Sequence, residues 1–318
     1  MSVTNYKLEK QLSDLRSPGL LATIKDDDML SYYTGLQSKV VFDNLLKLFE
    51  PHLTYLYSKT GNPRGTPREL SFSEEFLMVL MRLRLGLQEK DLKFQFKLAS
   101  LSTVSRISAA WIPFLAHALK PLNPWPTRRQ VRKKLPPEFK TTDKYSRVRV
   151  ILDCAEFEME APSALSLNSM FYSDYKGRNT VKVLFGVTPD GYISFISQAY
   201  PGSISDNAIT VKSGILYLLE PGDCIMADKG FTLSNSELQP RGLELVVPPF
   251  CQGGDTFTAP EVETTKGVAN RRIVVENCVM RTRVYSILRT RLPVLTASGA
   301  SHTVQTCGYL SNLRAPIR

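Results

Sequence analysis

Apolar positions change their period partway along the chain. Over 38–57, Val41, Phe42, Leu45, Leu46, Leu48 and Phe49 recur at helical spacing, which predicts a helix and makes residues 1–63 an N-terminal helical region. Tyr32-Tyr33-Thr34-Gly35-Leu36 reads as a turn before it, and Asp26-Asp27-Asp28 as a helix N-terminus or solvated loop. Residues 64–120 read as a helix-turn-helix. Ser71 and Glu74 form a capping box, and Phe76, Leu77, Leu80, Leu83 and Leu87 make an apolar stripe that Gly86 ends. A short amphipathic piece follows from Glu89 to Leu98, then a turn. Ser102 is placed to cap a third helix that Pro113 should kink or end near Ile112. The first turns of that helix carry Thr103, Ser105 and Arg106, where a recognition helix meets base edges and phosphates. Five prolines between 121 and 137 mark a basic linker over 121–147.

From Val148 the grammar becomes that of strands. Residues 148–153, 180–187, 192–200, 224–228 and 243–247 are short β-branched or apolar runs. Thr188-Pro189-Asp190-Gly191 reads as a hairpin turn between the second and third. Helix is expected from Ser205 to Leu219, with Asp206 as its N-cap, and again over 261–290, although the β-branched run Arg272–Val279 competes as a strand. Three antiparallel strands followed by crossover units give an α/β domain over 148–318, with a mixed sheet and flanking helices, preceded by the all-α region.

Charge sharpens this picture. The chain has 318 residues and a formal net charge of +10. Residues 120–149 hold ten basic and two acidic residues, residues 151–265 six basic and fifteen acidic, and residues 266–318 nine basic and one acidic, Glu276. The basic segments would attract a phosphate backbone. The acidic module between them is suited to divalent cations set next to phosphates. Glu156, Glu158 and Glu160 alternate on one strand face and read as solvated. The five cysteines (Cys154, Cys224, Cys251, Cys278, Cys307) form no C-x-x-C pair, which excludes a standard zinc finger, and they read as small core residues. Three histidines make histidine-rich zinc catalysis a poor fit. No run is long enough for a membrane span, and the N-terminus lacks the apolar region of a secretory signal.

Three acids occupy positions where such a sheet builds sites. Asp153 ends the first strand, Asp228 ends the fourth before Lys229-Gly230-Phe231, and Glu276 lies in the last long helix. Three carboxylates can hold two metal ions about 3.5–4 Å apart, an arrangement that needs no side-chain nucleophile.

Around these residues the chain resembles the DDE transposases of the PIF/Harbinger type and their domesticated nuclease relatives. Tyr33-Thr34-Gly35-Leu36 is similar to that family's N-terminal signature, and Leu70–Leu119 to its helix-turn-helix. Ile151–Cys154, Ala227–Phe231 and Arg272–Glu276 resemble the segments bearing its three acids. Tyr175-Lys176, Thr180-x-Lys182, Thr188-Pro189-x-Gly191 and Gly202-Ser203-x-Ser205-Asp206 are further blocks. Val274, Asn277 and Ala155 stand where the family usually has histidine, arginine and threonine.

The resemblance implies an RNase H-like catalytic domain with Asp153, Asp228 and Glu276 as catalytic and metal-binding residues. It implies two Mg²⁺ ions, which Mn²⁺ can replace, and phosphodiester cleavage with strand transfer. The DNA-binding set is then Thr103, Ser105, Arg106, Arg128, Arg129, Arg132, Lys133, Lys134, Lys176, Lys182, Arg272 and Arg283. Expected partners are double-stranded DNA at transposon ends and target, further copies of the chain in a homo-oligomer, and a separate Myb-like DNA-binding protein; the expected location is the nucleus. The alternative is a DNA-binding descendant that keeps the fold without cutting. A metal-dependent RNA nuclease fits less well, because A-form major grooves do not admit a recognition helix.

Overall fold

The computed structural model describes residues 19–52, 56, 59, 68–248, 259–293 and 297–314. The chain divides into two compact units, Met1–Pro121 with Arg283–Arg291, and Leu122–Thr282 with Leu292–Arg318.

The described elements of the first unit are helical. Helix α1 (Asp27–Thr34) starts at Asp26, whose carboxylate accepts from the Met29 N–H at 2.7 Å, and ends at Gly35 with φ 77°. The acidic triplet is thus a helix start, and Tyr32–Thr34 form the last turn of that helix rather than a break. Helix α2 (Lys39–Phe49) begins at Ser38. Helix α3 (Phe72–Leu85) has the expected capping box of Ser71 and Glu74, and it ends at Gly86 with φ 69°. Helix α4 (Glu89–Gln95) leads into α5 (Leu101–Leu119).

Two details of α5 depart from expectation. Its cap is Ser100, which accepts from the Ser102 N–H, and not Ser102 itself. It also runs through Pro113. The carbonyl that Pro113 leaves without a donor belongs to Ala109, which is exposed, so water can serve it.

The core of this unit is aromatic. Phe76 stacks on Trp111 with centroids 5.5 Å apart and lies 5.0 Å from Phe42. The returning segment closes over Gly35, where any Cβ would stand 2.9 Å from the buried Tyr285 hydroxyl.

In the second unit, strand β1 (Val148–Glu158) is central. It pairs antiparallel with β3 (Arg178–Val187) and parallel with β6 (Cys224–Met226), which pairs parallel with β7 (Glu244–Val246). Strands β2 (Tyr172–Ser173), β4 (Ile193–Ile196) and β5 (Tyr200–Pro201) all pair with β3. The order β2-β3-β1-β6-β7 is a mixed sheet with helices packed against it, as the strand spacing predicts. Residues 148–152 are all buried, as an inner strand covered on both faces must be. Strand β4 ends at Ile196, short of the expected Tyr200.

Helix α7 (Asp206–Lys212) also stops early. Gly214, with φ 82°, separates it from a 3₁₀ turn over Ile215–Leu218, so 205–219 is two pieces and not one helix. Its cap is Ser205, which frees the Asp206 side chain expected to do that work. Helix α8 (Ala259–Thr282) settles the competing reading of Arg272–Val279 as helix, and α9 (Ala297–Asn312) packs beside it. The proline-rich stretch before β1 is structured: helix α6 (Arg128–Lys133) occupies it, and Val131, Leu135 and Phe139 are buried.

Val150 and Leu152 join Ile209 of α7, Ile215 and Ile225 in the core on one face of the sheet. Full burial of each such side chain contributes about 1.5–3 kcal/mol. Alternation along β1 therefore turns Asp153 to the opposite face from Leu152 and Cys154.

Candidate active site

Register places the first two acids together. The last parallel pair of β1 and β6 is Ile151 with Met226, and Asp153 and Asp228 each lie two residues beyond it. They therefore emerge side by side on adjacent strands, Asp228 just past the end of β6 and Asp153 within β1, which does not end at Asp153 as expected but runs on to Glu158 because its pairing with β3 continues that far. Asp228 sits at the start of a turn in which its carbonyl accepts from the Phe231 N–H at 3.0 Å, its carboxylate accepts from the Lys229 N–H at 2.8 Å, and Phe231 is buried beneath.

Helix α8 brings the third acid. Val268, Val274, Val275, Cys278 and Val279 bury one side of it, while Ile273, Glu276, Asn277 and Met280 face solvent. Glu276 follows Arg272 by one turn. The Arg272 guanidinium forms an ion pair with Asp228 at 2.9 Å and with Asp153 at 3.9 Å. Arg272, expected on DNA, is only 10% exposed in its side chain and stands between two of the acids.

Burial pushes the Asp153 carboxyl up to about 6; Arg272 opposes this, and the charges of Glu276, Asp206 and Asp228 add to it. Like-charge crowding of this kind is what a divalent cation relieves. The donors are carboxylate oxygens, which suit a hard ion such as Mg²⁺. Among the described residues, no three Asp, Glu, His or Cys side chains stand close enough together to hold a metal ion. The chemistry of the set fits a divalent ion; its present spacing accommodates a guanidinium.

A second group of charges lies on the other face of β1. Lys182 donates to the Ile204 carbonyl at 2.9 Å and to Asp206 at 3.2 Å, and it pairs with Glu156 at 3.8 Å. Glu156 is thus not solvated. Its side chain is 9% exposed and also accepts from the Thr180 hydroxyl at 2.8 Å. Glu158 pairs with Arg178 at 2.9 Å. Asp206 also holds the Cys154 thiol, and a Cβ on Gly230 would approach its Oδ2 to 3.3 Å. This aspartate thus lies against β1 beside Asp153 and close to the turn that follows Asp228. The sequence signal was its position at the start of α7, which sequence reasoning assigned to capping.

Residues 152–312, half of the chain, match the family model described as DDE superfamily endonuclease. The chain belongs to this family. Residues 68–121 match the helix-turn-helix of DDE superfamily endonuclease, so α3, α4 and α5 are the helix-turn-helix of the family. No curated protein and no solved structure matches the chain.

Within that helix-turn-helix, Thr103 is buried and its hydroxyl donates to Glu69 at 3.2 Å. Ser105 is exposed and donates to Glu89, and Arg106 is half-buried near Glu75. Glu75 is buried in the core, where it pairs with Arg68 and accepts from the Trp111 indole N–H at 2.9 Å. Arg129, Arg132, Lys133 and Lys134 are exposed on and just beyond α6, while Arg128 turns inward to Asp223 at 2.8 Å. Lys176 is exposed over the ring of Tyr175, 4.5 Å from its centroid. Arg283 is half-buried and belongs to the first unit. Among the described residues, no helix is long and apolar enough to cross a membrane.

Proposed function

We propose that the chain is a metal-dependent DNA endonuclease of the transposase type, in which Asp153, Asp228 and Glu276 hold two divalent ions, Mg²⁺ or Mn²⁺. The observation that carries this reading is the equal offset of Asp153 and Asp228 beyond the Ile151–Met226 pair, with both acids paired to Arg272 one helical turn before Glu276. Bound divalent ions supply activation of the attacking oxygen and stabilisation of the leaving one.

The chain's own residues do the rest. Asp153, held on the central strand, fixes the position of one carboxylate. The Lys229 N–H and buried Phe231 orient Asp228. Glu276 approaches from a helix and is exposed, so it can adjust to the substrate. Asp206, anchored by Lys182, adds negative charge beside Asp153. Arg129, Arg132, Lys133, Lys134 and Lys176 are free of burial and fit phosphate contacts, and the exposed Ser105 fits a contact from α5. We also read residues 1–63, 64–120, 121–147 and 148–318 as the functional segments, with strand transfer, oligomerisation and a nuclear location as parts of the same proposal.

The test is cleavage of end-labelled duplex DNA with Mg²⁺ or Mn²⁺, run beside Asp228→Asn. Metal-dependent cutting that the variant lacks supports the proposal. Duplex binding without cutting in either metal supports a DNA-binding descendant instead.

A further inference from the structure

Arg271 and Arg272 are adjacent on α8, yet they are held in opposite ways. Arg271 is locked. Its Nε donates to the Glu138 carbonyl at 2.8 Å, one terminal nitrogen donates to the Gly267 carbonyl at 2.7 Å, and the other to the Thr141 hydroxyl at 3.0 Å. Its guanidinium carbon also lies 4.0 Å from the Tyr145 ring centroid. These are neutral, fixed acceptors of the kind that keep a structural arginine in place.

Arg272 has no such cradle. Its ion-pair partners are Asp153, within β1, and Asp228, just past β6. Its buried Nε finds no acceptor among the described residues. A fixed guanidinium normally uses its planar fork in full, and a buried donor left without an acceptor is unfavourable. The charge is well placed and the hydrogen bonding is incomplete. Asp228, its nearer partner, is 54% exposed, so the pair opens toward solvent.

We infer that Arg272 is a displaceable internal cation: it bridges Asp153 and Asp228 while they lack a divalent ion, and it must leave that bridge when a divalent ion binds them. The inference rests on the proposed role of these acids as metal ligands. It assigns Arg272 a positioning role in which one positive charge keeps the acid pair together and sets a threshold for metal entry. Two cations compete for the same oxygens, so removal of the resident one should tighten binding of the incoming one.

The experiment is titration of the full chain with Mn²⁺, followed by electron paramagnetic resonance of the free ion, in wild type, Arg272→Gln, Arg272→Lys and Asp228→Asn. Circular dichroism on each variant checks that it is folded. Expected is tighter Mn²⁺ binding in the order wild type, Arg272→Lys, Arg272→Gln, with about a tenfold span, the scale of one modest ion pair. If Arg272→Gln does not fold, Arg272→Lys alone decides by the same direction, because its shorter ammonium bridges the acids less well. Equal or weaker binding in the folded variants overturns the inference while leaving the metal site standing. Binding in wild type that Asp228→Asn does not reduce overturns the metal-ligand reading, and the inference with it.

Discussion

Asp153 and Asp228 lie level with each other on adjacent parallel strands, each two residues beyond the Ile151–Met226 pair, and the guanidinium of Arg272 is paired with both. The arrangement offsets mutual repulsion between carboxylates that burial makes worse. The Asp153 carboxyl is pushed up to about 6.

That shift predicts an exchange of stability for function. The folded chain holds the Asp153 proton more tightly than the unfolded chain does. The resulting stabilisation is complete below the unfolded value of about 4 and is lost as pH rises through about 6. At neutral pH the ionised carboxylate therefore costs on the order of 3 kcal/mol. Asp153→Asn should raise Tm of the metal-free protein near neutral pH, have no such effect below about pH 4, and abolish stabilisation by divalent ions. Calorimetry across pH checks all three, and a lower Tm at neutral pH would count against the crowded-carboxylate account.

The basic helix α6 should supply sequence-independent grip on DNA. Changing Arg129, Arg132, Lys133 and Lys134 together to glutamine should weaken binding to all duplexes alike. Each phosphate that is no longer neutralised should take about 0.9 off the log–log salt slope. Arg128 is left out because it is tied to Asp223, and its replacement would disturb the fold. Fluorescence anisotropy over a salt series measures the slope; an unchanged slope would make this helix a solvated surface only.

Glu75 should be a stability determinant of the helix-turn-helix. It is buried, burial raises its carboxyl above the usual range, and it joins Arg68 to Trp111 across α3 and α5. Removing one partner of a buried pair leaves the other charge uncompensated, so Glu75→Ala should cost about 3–5 kcal/mol. Urea unfolding of the full chain, followed by helical circular dichroism, should show the midpoint fall.

Lys97 lies between α4 and α5 with φ 52°, the left-handed region. The Leu98 N–H reaches back to the Lys93 carbonyl at 2.9 Å, a helix ending that favours glycine. Lys97→Gly should stabilise the chain by about 1 kcal/mol, read from the same urea midpoint.

The sequence pattern carried the sheet and most of the capped helices, because each has a local signal. Val148–Leu152 is a continuous β-branched and apolar run apart from Arg149, and Ser71 with Glu74 is a contiguous motif. What escaped was set by interactions distant in sequence. Glu156 follows the strand alternation of a solvated residue, yet Lys182 and Thr180 of the neighbouring strand bury it. Arg272 looks like any arginine on a helix until Asp153 of β1 and Asp228 beyond β6 are placed against it. Asp206 and Ser205 are both good caps, and only the fold shows that Ser205 caps while Asp206 reaches Lys182. Val274 is fully buried beside the site, so its departure from histidine falls in the core of the helix packing.

The central claim is that these three acids cut DNA, and Glu276→Gln tests it most directly. The substitution keeps the size of an exposed side chain and removes one charge. Strand cleavage of end-labelled duplex with Mg²⁺ should be abolished, while duplex affinity stays within about twofold of wild type, since affinity comes from basic residues elsewhere. Cleavage at the wild-type rate would contradict the assignment.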